Sequence, residues 1–96
     1  MEMTFAQHIR TLRKKKKWSV YDLAKAIERT PGYISKIEAR GEIPSPDMIL
    51  KLAHALGADV ETLVEVAKKE KSEEVTEVVK QKYDTAFALY RRSKRR

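Results

Sequence analysis

Two clusters of basic residues stand out in this 96-residue chain, which has 21 Lys and Arg against 14 Asp and Glu and a net charge of +7. Residues 8–18 hold six cations and no acid, and residues 91–96 hold five more cations. Clustered cations are typical of proteins that bind a polyanion, with nucleic acid first and an acidic membrane surface second. A solvated helix end and a frayed tail would give the same pattern, so charge indicates a partner without identifying it.

The sequence has few residues suited to catalysis or to metal binding, and it predicts no catalytic residue, no metal site and no cofactor. The absence of cysteine excludes disulfides, thiolate ligands and cysteine nucleophiles, and it favours a reducing compartment. The two histidines, His8 and His54, are far apart and lack ligand spacing, and the sequence has no glycine-rich phosphate loop. No apolar run approaches the roughly 18 residues of a membrane span, and no signal-peptide pattern opens the chain. We therefore expect a cytoplasmic protein without membrane contact.

Helical periodicity runs through most of the chain, and start signals divide it into six predicted helices. Residues of the N-cap type precede them at Thr4, Ser19, Thr30, Ser45, Asp59 and Ser72. Together these signals predict an all-α bundle: a domain of five helices followed by a longer amphipathic helix. The predicted boundaries are 4–67 for the domain, 68–74 for a charged joint, 75–92 for the C-terminal helix and 93–96 for a basic tail.

Residues 19–39 hold the most informative arrangement in the chain. Two short predicted helices are joined there by the tight turn 27–30, which predicts a helix-turn-helix whose second helix, the recognition helix, can enter a major groove. Ala24 lies where the two helices would cross, and its small side chain permits a close approach. Counted at about 100° per residue from the apolar Ile34, the outward positions of the recognition helix are Gly32, Lys36 and Arg40.

The same count turns a carboxylate, Glu38, toward the core, about 40° from Ile34. A buried carboxylate without a partner is costly, because it loses its hydration. Arg13 is the candidate partner, since it lies about 40° from Ile9 at the edge of the apolar stripe of the first helix. We predict that an Arg13–Glu38 ion pair ties the first helix to the recognition helix and fixes its angle. The alternative is that both are ordinary surface charges.

The segment from Phe5 to about Val66, about two-thirds of the chain, carries a resemblance to a known family in four stretches. They are Ile9-Arg10-x-Leu12-Arg13, Trp18-Ser19-x-x-Asp22-Leu23-Ala24, Tyr33-Ile34-Ser35-Lys36-Ile37-Glu38, and Pro44-Ser45 followed by Leu50-Lys51-Leu52-Ala53-x-Ala55-Leu56-Gly57. In this order they resemble the Cro/CI-type helix-turn-helix family of phage repressors and xenobiotic-response regulators. The resemblance implies a five-helix DNA-binding domain, usually a dimer on a pseudopalindromic operator. It also implies an inner arginine–glutamate pair at Arg13 and Glu38.

The sequence departs from the family pattern in and around the motif. Val20 stands where glutamine is usual, so one common contact to phosphate and base is lost. Glu28 stands where the turn normally has glycine, and a left-handed conformation there would cost about 1 kcal/mol. The glycine that follows the recognition helix comes one place late, at Gly41, which leaves Arg40 near the cap.

Lys36 carries most of the expected base readout, because Pro31 and Gly32 bring no side-chain donor and lysine can donate to guanine O6 and N7. The residues predicted to face the bases are Thr30, Pro31, Gly32, Tyr33, Ser35 and Lys36. Those predicted to contact phosphates are Arg10, Ser19, Val20 and Arg40, with the Lys14–Lys17 run and the free amides at the helix N-terminus after Ser19. We expect modest base discrimination and a large share from phosphates and groove shape.

The last predicted helix carries an apolar stripe that must be buried somewhere. Its members are Val75, Val78, Val79, Tyr83, Ala86, Phe87, Leu89 and Tyr90. The stripe could fold back on its own domain, seal a homodimer or receive another protein. We favour the homodimer, because a dimer presents two recognition helices about 34 Å apart, one turn of DNA. The tail 91–96 could contact the DNA backbone or be a disordered end.

The sequence therefore predicts a sequence-specific regulator of transcription that binds double-stranded DNA, most simply a repressor or autoregulator, and not an enzyme. One alternative is an antitoxin-type protein that binds a partner protein through its C-terminal helix while its helix-turn-helix controls its own operon. Another is an architectural or RNA-binding module that relies on the basic clusters alone.

Overall fold

A computed structural model of the chain describes residues 3–71, 81–82 and 84–89, and these are helical apart from the connections between helices. The helices with defined ends in this part are α1 (Phe5–Lys15), α2 (Val20–Ala26), α3 (Pro31–Arg40), α4 (Pro46–Leu56) and α5 (Val60–Lys71). Residues 81–82 and 84–89 are helical too, and no strand occurs in the described ranges. The predicted all-α fold class is confirmed.

Side-chain caps set the start of each of these helices. Reciprocal capping boxes begin α1 and α2: the Gln7 N–H donates to Thr4 Oγ1 at 3.1 Å while the Thr4 N–H donates to Gln7 Oε1 at 2.8 Å, and Ser19 and Asp22 repeat the pattern. For α3, α4 and α5, the side-chain oxygens that accept an N–H three residues on belong to Thr30, Ser45 and Asp59. These bonds satisfy backbone donors that a helix leaves open at its N-terminus.

One apolar core joins the five helices. The largest side chains that lie completely inside it are Phe5, Ile9, Leu23, Ile27, Ile34, Ile37, Ile49, Leu52 and Leu63. Helix α1 packs against α3, α4 and α5, while α2 packs against α3 and α4 against α5. Helix α3 is thus supported from behind by α1 and α2.

Helix α5 continues past the boundary predicted for it. Residues 68–71 belong to the helix, whereas the sequence placed them in a charged joint, because their composition is all charge. Tertiary contacts hold this last turn in place: Ala67 is fully buried, and Glu70 Oε1 accepts the Phe5 N–H at 3.0 Å. Residues 72–74, the rest of the predicted joint, lie outside the described residues.

The described part of the C-terminal segment packs on its own chain. Phe87 is 8% exposed and belongs to the core, and Asp84 forms an ion pair with Lys68 of α5. Ala86 is half-buried, whereas Leu89 is 56% exposed. The other members of the predicted stripe lie outside the described residues: Val75, Val78, Val79, Tyr83 and Tyr90.

Candidate nucleic-acid interface

Helices α2 and α3 with the turn 27–30 form the helix-turn-helix. Ala24 is 1% exposed, and its methyl group permits the close approach of the two helices. Ile34 and Ile37 turn the inner face of α3 into the core, where they are 0% and 2% exposed. The opposite face of α3 is left to solvent.

A bidentate ion pair between Arg13 and Glu38 fixes α3 to α1. Arg13 Nε donates to Glu38 Oε2 at 2.8 Å and Nη2 donates to Oε1 at 2.9 Å, with side chains only 10% and 3% exposed. The third nitrogen, Nη1, donates to the Trp18 carbonyl at 2.9 Å. The hydrogen bonds to Glu38 raise the pKa of Arg13 against the opposing effect of burial, and the charge of Glu38 raises it further. One guanidinium therefore joins α1, the loop before α2, and α3.

A second arginine shares the same carboxylate. Arg10 Nε lies 3.5 Å from Glu38 Oε1, and the Arg10 side chain is 55% exposed. The sequence predicted that Arg10 contacts phosphate and gave it no partner within the protein. Its guanidinium is thus positioned beside α3 while it stays accessible to a phosphate.

The outward face of α3 carries the residues predicted to read bases. Thr30, Gly32, Ser35 and Lys36 are exposed, as is the predicted phosphate ligand Arg40, whereas Pro31 and Tyr33 are half-buried. Burial raises the pKa of the Tyr33 phenol, the positive charge of Arg29 opposes this, and the negative charge of Glu42 adds to it.

The N-terminus of α2 lies beside a basic loop. Ser19 is exposed, Val20 is half-buried, and the Lys14–Lys17 run is exposed along its length. Lys16 Nζ sits 4.8 Å from the centre of the Trp18 ring, which restrains this cation next to the helix start. Lys16 and the open amides of the first turn of α2 are donors of the kind that suit phosphate oxygens.

Two non-glycine residues in the described part of the chain have a left-handed backbone, and both flank α2. They are Lys17, with φ 62°, and Glu28, with φ 57°. Each ends a helix in the Schellman manner: the Trp18 N–H donates to the Arg13 carbonyl at 3.1 Å, and the Arg29 N–H donates to the Ala24 carbonyl at 2.8 Å. The sequence raised this conformation for Glu28 but missed Lys17, although the absence of glycine where α1 must end was a usable signal.

Other kinds of site receive no support from the described residues. Within them, no three His, Cys, Asp or Glu side chains come together as a set of metal ligands. No helix formed by these residues has the length and apolar character needed to cross a bilayer.

The fold and the exposed face of α3 define a helix-turn-helix DNA-binding protein. A family model described as "Helix-turn-helix" matches residues 9–68, more than half of the chain, so the chain belongs to this Cro/CI-type family, as the sequence predicted. The crystal structure of the clp gene regulator ClgR from C. glutamicum is similar at 31% identity and a TM-score of 0.55, over 69% of this chain and 86% of that one. No curated protein sequence gives a significant match. The chain is a DNA-binding transcriptional regulator and not an enzyme.

Proposed function

We propose that this regulator is a sequence-specific repressor that binds an operator near its own gene as a dimer, with α3 in the major groove. The observation that carries the proposal is the contrast between the two faces of α3. The inner face is fixed by the Arg13–Glu38 pair and by Ile34 and Ile37. The outer face is exposed and polar, with Lys36 near its middle. A helix held in this way fits the width of a B-DNA major groove.

Base and phosphate contacts divide between two parts of this surface. Lys36 lies on the exposed face of α3 and can donate to guanine O6 and N7. Arg10, Arg40, the Lys14–Lys17 run and the first-turn amides of α2 flank that face and supply charge toward phosphates. In this arrangement the flanking groups set affinity and register, and the α3 side chains set sequence preference.

Binding by single-residue variants tests the arrangement. A footprint on DNA directly upstream of this chain's gene defines the operator, and fluorescence anisotropy at fixed salt then compares that duplex with a scrambled duplex. Lys36→Ala should weaken operator binding and relax one base position, whereas Arg10→Ala should weaken binding to both duplexes alike. Lys82→Ala, which removes one exposed cation outside the helix-turn-helix, is the charge-matched control.

Three results would contradict the proposal in different ways. Unchanged binding by Lys36→Ala refutes the placement of α3. Equal wild-type affinity for the operator and the scrambled duplex points instead to an architectural or RNA-binding module that uses charge alone. A rise in transcription from the operator when the protein is added refutes the repressor role.

We place the proposed dimer contact on the C-terminal segment, where Leu89 is an exposed large apolar side chain. Phe87 already packs in the core of its own chain, so the contact would use the remaining apolar positions of that segment. Leu89→Glu should give monomers in sedimentation velocity and weaker operator binding. Gln81→Glu, which adds the same charge at an exposed position of the same segment, should change neither. Unchanged mass and affinity in Leu89→Glu contradict this assignment.

The exposed Leu89 also suits a second candidate function, an antitoxin-type protein whose C-terminal segment binds another protein. In that case the wild-type chain is a monomer alone, and the product of a neighbouring gene forms a stoichiometric complex with it. Leu89→Glu then abolishes the complex and leaves the DNA affinity of the isolated chain unchanged.

A further inference from the structure

Arg29 lies at the end of α3 that the proposed function sends into the groove, yet that function gives it no role. The first two residues of α3, Pro31 and Gly32, bring no side-chain donor to this end. Arg29 comes directly before the cap residue Thr30, is exposed, and makes no ion pair within the described part of the chain. Its guanidinium therefore offers the donors that the start of the recognition helix lacks.

The Arg29 side chain is held in place by the ring of Tyr33. The guanidinium carbon lies 5.8 Å from the ring centre, within the range of a cation–π contact. Tyr33 is itself half-buried and packs against the core, and the Arg29 N–H is tied to the Ala24 carbonyl at 2.8 Å. Both ends of the contact are thus anchored. A guanidinium stacked in this way keeps its planar fork of donors available for a bidentate contact.

The contact with Tyr33 places Arg29 beside the exposed side of α3 that carries Lys36. Arg29 itself lies in the turn before the helix. Tyr33 and Lys36 are three residues apart within α3, so they occupy neighbouring positions on one side of it, and Lys36 is exposed there. One stretch of groove therefore meets both cations.

We propose that Arg29 is a specificity-determining residue that reads a guanine through its O6 and N7, at a base pair distinct from the one contacted by Lys36. This assignment rests on the proposed function. It does not rest on any stabilising role of Arg29, because a cation at a helix N-terminus is disfavoured by the helix dipole. Removal of the Arg29 side chain should therefore leave the fold intact.

The test is selection of preferred sites from a library of random duplexes with the wild-type chain and with Arg29→Lys, Arg29→Ala and Lys36→Ala. Anisotropy then measures each chain on the winning duplex and on its single-base variants. Arg29→Lys keeps the charge but loses the bidentate fork. It should bind with an unchanged salt dependence and lose about tenfold discrimination at one base pair, distinct from the one relaxed by Lys36→Ala. Tyr33→Leu, which removes the ring that holds the Arg29 guanidinium, should lose part of the same discrimination, with circular dichroism as the check that each variant folds.

The outcomes separate this inference from the function beneath it. If the wild-type chain selects a motif that Lys36→Ala relaxes, while Arg29→Lys and Arg29→Ala select the identical motif, the Arg29 assignment is wrong and the proposed function stands. If Arg29→Ala weakens all duplexes equally and lowers the salt dependence, Arg29 contacts phosphate and the base-reading role is overturned. If the wild-type chain selects no motif, the proposed function itself fails.

Discussion

Replacing Glu28 with glycine should stabilise this protein, because the residue holds a left-handed backbone that glycine adopts without steric cost. Its φ is 57°, where a Cβ atom crowds the following carbonyl. The expected gain is about 1 kcal/mol in the free energy of unfolding, reduced somewhat by the larger freedom of glycine in the unfolded chain. For a domain of this size, 1 kcal/mol corresponds to roughly 4–8 °C in Tm.

The side chain of Glu28 contributes little that glycine would remove. Its carboxylate lies 3.6 Å from Lys51 Nζ, but the two side chains are 84% and 51% exposed, and exposed pairs of this kind are worth about 0–1 kcal/mol. Glu28→Ala separates the two effects, because it removes the ion pair and keeps the backbone strain. Glu28→Ala should therefore be neutral or slightly destabilising.

Gly57 supplies the opposite perturbation as a control. It caps α4 with φ 65°, and a Cβ atom added there would meet no atom within 4 Å. Gly57→Ala should therefore cost about 1 kcal/mol from backbone conformation alone. Urea unfolding followed by circular dichroism, with unchanged m values, measures all three variants. If Gly57→Ala lowers the free energy of unfolding and Glu28→Gly does not raise it, the left-handed backbone of Glu28 does not carry the strain assigned to it.

The buried ion pair, the capping box of α2 and the left-handed residue Lys17 can each be tested by substitution. Arg13→Leu leaves the Glu38 carboxylate buried without its main partner, so it should lower the free energy of unfolding in urea by about 3 kcal/mol. The double variant Arg13→Leu/Glu38→Leu should recover most of that loss. An equal loss in the single and the double variant would exclude the ion pair as the cause. Hydrogen bonds from the Ser19 N–H and hydroxyl lower the pKa of the Asp22 carboxyl below its usual 3.8. The stability that these bonds provide is therefore present above pH 3.8 and is lost as the pH falls through the pKa of Asp22 in the folded protein. Asp22→Asn should flatten the dependence of the free energy of unfolding on pH in this acid range, and superimposable profiles of the two proteins would contradict this prediction. Lys17→Gly should relieve the backbone strain at φ 62° and raise Tm. The same variant should bind every duplex more weakly, and the slope of log affinity against log salt concentration should fall by about 1. An unchanged slope would show that Lys17 does not contact phosphate.

Features set by local sequence could be predicted, and features set by distant contacts could not. The capping boxes at Thr4 and Ser19 depend on residues three apart, so the sequence displays them directly. The inward direction of Glu38 followed from regular helix geometry. In the structure Glu38 pairs with Arg13, the partner that the same geometry suggested. Arg10 was different, because its approach to the same carboxylate depends on how closely α1 and α3 pack, which helical angles do not contain.

The end of α5 and the position of Phe87 show the same limit from the other direction. A run of charges reads as a joint, and nothing near it in sequence indicates that Glu70 accepts the N–H of Phe5, 65 residues away. The apolar stripe near the C-terminus predicted burial, but it could not specify the burying surface. In the structure Phe87 packs in the core of its own chain.

Gly32 gives the recognition helix a vacant position that is open to redesign. A Cβ atom there would meet only Thr30 Oγ1, at 3.8 Å, which is an ordinary contact. Its backbone is helical and its side is exposed, so almost any side chain fits and helix propensity improves. Because the scaffold behind α3 is independent of this position, the proposed function predicts that substitutions at Gly32 give the protein new operator preferences while the rest of the molecule is left unchanged.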